Sequence, residues 1–159
     1  MGNKMKYVII AMSFATILST LGVAGKDSES TTEKINLRGY TLRLEECEGK
    51  CVVKYAGEKH CGELVLDIRP PCQFVRDYKS DPLSYTYEDA GNATVLVVVG
   101  AIGDSECTDP LMKKGCGTQT QGVILRCQGV SASKRIVKGS VWCPSKGIDE
   151  KEFWMFAHW

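Results

Sequence analysis

The chain has 159 residues, 43% of them apolar and 25% charged, which is the composition of a globular protein and excludes a disordered or collagen-like one. That length has room for one ordinary domain. Lys and Arg total 20 against 19 Asp and Glu, and two of the lysines, Lys4 and Lys6, stand near the N-terminus, so the remainder lacks the basic excess expected of a nucleic-acid-binding protein.

Residues 1–7 carry both of those lysines and no acid, and 8–24 are apolar or small apart from the hydroxyls of Ser13, Thr16, Ser19 and Thr20. A charged start followed by an apolar run predicts a signal peptide over 1–24, cleaved after Ala24 or Gly25 where the small residues end. Retention of that run as an anchor is the alternative, and the only route to membrane contact the sequence suggests. Residues 25–34 hold almost nothing but Gly, Ser, Thr, Asp, Glu and Lys, which predicts a flexible polar segment leading to a single β-rich domain over 35–159. The expected localisation is secreted or periplasmic.

From Tyr40 the apolar residues Tyr40, Leu42 and Leu44 alternate with Thr41, Arg43 and Glu45, the period of a half-buried strand. Residues 51–55 follow a turn containing Gly49 and complete a hairpin. Residues 62–68 alternate again until Pro70 and Pro71 stop them, and 72–76 and 84–87 are short strand candidates. Residues 94–99 differ in kind: Val95, Leu96, Val97, Val98 and Val99 are consecutive, so this strand is expected to be covered on both faces and to form the core. Thr108, Asp109 and Pro110 can open one helical turn, and 121–127 and 133–138 suggest a further strand pair. At the C-terminus Asp149 and Glu152 have the spacing of a capping box, with Phe153, Phe156 and Ala157 on one helical face. The expected fold is therefore mainly β, a sandwich or barrel of about eight short strands with one or two short helices.

All eight cysteines, Cys47, Cys51, Cys61, Cys72, Cys107, Cys116, Cys127 and Cys143, follow the leader, and an even count in an exported chain predicts four disulfides that staple the fold. Spacing favours local pairs: Cys47 with Cys51, Cys61 with Cys72, Cys107 with Cys116 and Cys127 with Cys143. Paired C-x-x-C knuckles are absent and the histidines are two, His60 and His158, so neither a metal site nor a cofactor is expected.

Gly103-Asp104-Ser105 resembles the first block of the SGNH hydrolases, which implies a nucleophilic serine at the end of a strand. Their Asp-x-x-His block has no counterpart here, because Met155 precedes His158 at that spacing, and a serine needs a base within reach. The competing reading is a turn before Cys107. The adjoining carboxylates Glu45 and Glu46, or Glu88 and Asp89, point to opposite faces of a strand and make poor glycosidase pairs. Asn92-Ala93-Thr94 matches the N-glycosylation acceptor pattern.

Phe153, Trp154 and Phe156 cannot all face one side of a helix, so an aromatic at the C-terminus is expected to remain exposed, with Trp154 and Trp159 the candidate contact residues. The expected function is a binding module with a protein partner, such as an inhibitor or immunity protein that occludes an extracellular or periplasmic enzyme. A small hydrolase using Ser105 and a structural envelope protein are the alternatives.

Overall fold

The computed structural model describes residues 33–102 and 115–159. Two antiparallel sheets face each other, and one helix covers the outer face of the second. Sheet A has the order β1-β2-β3-β4, from β1 (Glu33–Leu37), β2 (Tyr40–Cys47), β3 (Lys50–Gly57) and β4 (Cys61–Leu66). Sheet B has the order β5-β7-β8-β9, from β5 (Gln73–Phe74), β7 (Ala93–Ile102), β8 (Gly117–Arg126) and β9 (Gly129–Trp142), with β6 (Ser84–Tyr87) pairing β7 beside β5. A 3-10 turn, Pro144–Lys146, leads to the terminal helix α1 (Glu150–His158).

The hairpins of sheet A follow from their turns. Arg38-Gly39 and Glu48-Gly49 each place two residues at positive φ, the requirement of the two-residue turn whose twist matches that of the strands. Each supplies glycine where its freedom is needed. Leu42 and Leu44 of β2 and Val53 of β3 then point inward and are fully or almost fully buried.

The strand expected to be covered on both faces is β7. Its Leu96 and Val98 join Leu42, Leu44, Val53, Leu66 and Phe74 between the sheets. Its Val95, Val97 and Val99 join Phe153 and Phe156 of α1 on the outer side. Period-two alternation therefore feeds two cores from one strand, and the arrangement is three layers, sheet A, sheet B and helix.

The helix begins at Asp149, whose carboxylate accepts a hydrogen bond from the Lys151 amide at 3.0 Å, while its backbone carbonyl accepts one from the Glu152 amide. Phe153, Phe156 and Ala157 are buried, as their spacing predicts. The close seat of α1 on sheet B depends on Gly122, since a Cβ there would lie 2.6 Å from the Phe156 Cβ.

Side chains close the two open edges of the sandwich. On one side Glu33 of β1 accepts from the Phe74 amide and forms an ion pair with Arg76. On the other, Gln121 of β8 accepts from the Asp67 amide and donates to the Ser133 carbonyl, each at 2.8 Å, and Gln119 accepts from the Arg69 amide. These amides take the donors that β4 would offer a further strand, so β4 ends at Leu66, before the expected boundary at residue 68. Gln121 is 1% exposed. Gln121→Leu strands a part-buried amide and a buried carbonyl, and we expect a loss of about 2 kcal/mol in urea unfolding without a change of fold.

Several expectations need correction. The nine strands and one helix among the described residues bear out the expected mainly β fold, but β1 was not anticipated as a strand, and β9 is 14 residues long where 133–138 was expected. The turn of helix expected at 108–112 lies outside the described residues, as do Cys107 and Ser105.

The four local cysteine pairings are overturned by two observed bonds, Cys51–Cys72 and Cys116–Cys143, which take one member from each expected pair. The registers give the reason. Cys47 opposes Lys50 and Glu46 opposes Cys51, so Cys47 and Cys51 project from opposite faces of the hairpin. Cys61 lies opposite Ala56 whereas Leu66 lies opposite Cys51, which puts Cys61 and the Cys51–Cys72 bond about 17 Å apart along the strands. Cys127 follows Arg126, and Cys143 follows Trp142, which opposes Gly117. The length of β8, roughly 30 Å, therefore separates them. Cys47, Cys61 and Cys127 have no disulfide partner among the described residues. The two bonds indicate an oxidising, non-cytoplasmic environment, and no described helix is long and apolar enough to cross a membrane.

Candidate functional site

One end of the sandwich carries Arg38, Lys59 and Arg126 and, beside them, the exposed Trp154 and Trp159. Three turns meet there: residues 37–40 between β1 and β2, 57–61 between β3 and β4, and 126–129 between β8 and β9. Between them lies an open recess of two adjoining lobes, about 460 and 280 Å³. Lys59, His60 and Arg126 line both lobes; Arg38, Tyr40 and Cys127 line one, and Tyr55 and Cys61 the other.

The arginines are held by neutral groups. Arg38 donates to the Asn92 carbonyl at 2.9 Å and to the Thr94 hydroxyl at 2.8 Å, clamping the β1–β2 turn of sheet A onto sheet B. Arg126 donates to the carbonyls of Ala90 and Ala157, both at 3.4 Å. Neither guanidinium meets a carboxylate among the described residues, and Glu58 is the one acid lining the recess. Sequence reasoning missed this cluster because its members come from turns far apart in the chain.

Through the Ala157 carbonyl, Arg126 connects the recess to the C-terminal end of α1. There Trp154 is 42% exposed and Trp159 68%. The Trp154 ring stacks on the His158 ring with centroids 4.2 Å apart. One His158 ring nitrogen contacts the Trp154 carbonyl at 2.8 Å, and the other lies 3.2 Å from the Asp89 carboxylate. These contacts restrict the Trp154 indole while leaving part of it in solvent, so it loses little side-chain freedom on meeting a partner. Tyr87 donates to the Glu150 carbonyl at 3.1 Å, and burial, with Glu150 nearby, pushes its phenol up to about 12. It therefore stays a neutral hydrogen-bond donor at the start of the helix.

Of the other aromatics, Tyr85 packs edge-on against Phe153 at 4.9 Å and Tyr87 is buried. Tyr78 is 87% exposed. Asn92 is exposed at the β6–β7 turn. The adjoining carboxylates diverge as expected: Glu45 pairs with Lys54 at 2.6 Å, and Glu46 accepts from the Cys72 amide.

The histidines bear on the hydrolase alternative. His158 packs near Tyr87, which pairs with Ala93 at the start of β7, and His60 lines the recess at that same end. Ser105 follows Ile102, the far end of β7, by three residues. Ser105 itself lies outside the described residues. Comparison with protein-family models, curated proteins and solved structures found no match to this chain.

Proposed function

We propose that this protein is an exported, disulfide-stabilised binding module that acts by contact with a protein partner, in the manner of an inhibitor or immunity protein occluding an extracellular or periplasmic enzyme. The observation that carries the reading is the division of aromatics on α1. Phe153 and Phe156 anchor the helix, while Trp154 on it and Trp159 at its C-cap are exposed to solvent. Large aromatics on a rigid, preorganised support are the side chains that concentrate contact energy at interfaces.

Trp154→Ala and Trp159→Ala are expected to preserve the melting temperature. At least one should weaken partner capture by about 2 kcal/mol, roughly thirtyfold in Kd. The test uses the oxidised wild type and both variants as bait on extracellular and periplasmic extracts, with ester and peptide hydrolysis assayed in parallel. Undiminished capture by both variants overturns the contact assignment. Hydrolysis that disappears in Ser105→Ala overturns the binding reading itself.

A further inference from the structure

We propose that the recess at the end of the sandwich is a carboxylate-binding site, which takes acidic side chains of the protein partner. The proposal rests on the binding reading above and adds the chemistry that the partner must present there.

The two arginines converge on one short segment. Arg38, from the β1–β2 turn, donates to the Asn92 carbonyl, and Arg126, at the end of β8, to the Ala90 carbonyl. Both carbonyls belong to the β6–β7 turn, two residues apart, so their Cα atoms stand at most about 7 Å from each other. Lys59, from the β3–β4 turn, shares the smaller lobe of about 280 Å³ with both arginines. Cations from three separate turns therefore line one cavity.

Their anchors leave donors to spare, since a guanidinium carries five N–H groups. On Arg38 the pair on Nη1 goes to the Asn92 carbonyl and the Thr94 hydroxyl, while Nε and Nη2 have no partner among the described residues. On Arg126 Nε and Nη2 reach the Ala90 and Ala157 carbonyls, and Nη1 has no partner among the described residues. Neutral anchors hold each planar fork without cancelling its charge, and such a fork matches a carboxylate through two parallel hydrogen bonds. Lys59 is exposed and in no ion pair among the described residues. Glu58 is the one acid lining the lobe, so the recess is net positive in a chain whose total charge is only +1.

That balance decides between anions. A nucleic acid or a sulfated glycan is held along an extended run of basic residues, whereas these cations are confined to one recess. A protein partner suits the setting: Arg126 links the recess to α1 through the Ala157 carbonyl, and Trp154 and Trp159 are exposed there. Arginine beside exposed tryptophan is the composition of a protein interface.

The probe is fluorescein-labelled hexaglutamate, titrated with the full-length oxidised protein and followed by anisotropy at low salt. Wild type is expected to bind it, and sodium chloride to weaken the binding. Lys59→Gln, at an exposed side chain, should weaken it about fivefold and Lys59→Glu about twentyfold. Lys146→Gln, an exposed lysine of the 3-10 turn, should leave it unchanged. No binding by wild type overturns the proposal, as does equal binding by wild type and Lys59→Glu, or an equal loss in Lys59→Gln and Lys146→Gln. Dextran sulfate held more tightly than hexaglutamate, with the same dependence on Lys59, gives the recess to sulfated glycans and also overturns it. Trp154→Ala should hold hexaglutamate as wild type does, which separates this proposal from the reading it rests on. Partner capture that depends on tryptophan while hexaglutamate goes unbound defeats the recess alone. Hexaglutamate bound through Lys59, with capture undiminished in both tryptophan variants, defeats the tryptophan contact alone and supports the recess.

Discussion

Phe156→Ala is expected to cost about 4 kcal/mol of stability, a large share of the 5–15 kcal/mol typical of a whole domain. Phe156 is 1% exposed and lies between α1 and the outer face of sheet B with Val95, Val97, Val99 and Ile124. The loss should sit toward the upper part of the range for such truncations because the site cannot refill. The facing position on β8 is Gly122, which has no side chain to turn into the space, and the β7 valines are fixed by a strand whose other face is also buried. Gly122→Ala tests the same contact from the opposite side. Its Cβ would stand 2.6 Å from the Phe156 Cβ, a clash that Phe156→Ala does not relieve, so the helix must shift outward. Urea unfolding measures both variants. A loss below about 1 kcal/mol for Phe156→Ala would show that α1 contributes little to the fold.

The parts of this fold that were legible in the sequence are those with a local cause. The unbroken apolar run of β7 needed a cover on both faces, and the structure supplies sheet A on one and α1 on the other. The spacing of Phe153, Phe156 and Ala157 marked the buried stripe of α1, and that stripe left Trp154 outside. β1 gave no such signal: in Glu-Lys-Ile-Asn-Leu only Ile35 is buried, and its pairing comes from β2 and from the grip of Glu33 on Phe74 and Arg76. The disulfides misled for a related reason. Short spacing suggests local closure, but a strand reverses the facing of its side chains at every residue and carries its ends far apart, so register decides which sulfurs meet. The recess was equally illegible, because Arg38, Lys59 and Arg126 belong to three separate turns.

Removing the Cys116–Cys143 bond by the double substitution Cys116→Ala, Cys143→Ala is expected to lower stability by about 3.5 kcal/mol. The bond joins residues 27 apart, and in the chain-entropy model the loss reflects the freedom a loop of that size regains when unfolded. Position in the native state argues for the full amount. Cys116 and Cys143 are buried and flank Gly117 and Trp142, which already oppose each other in the β8–β9 ladder, so the strands remain paired without the bond and the penalty falls on the unfolded chain. The cross-link also closes the far end of sheet B, where β9 gives way to the 3-10 turn leading to α1; hydrogen exchange in the variant should therefore quicken first around residues 142–146 and leave β7 protected. Denaturant unfolding of wild type and variant, both fully oxidised at their other cysteines, gives the difference directly. A change under about 1 kcal/mol would mean that the unfolded chain is constrained there by another cross-link, and mapping of the remaining cysteines would identify it.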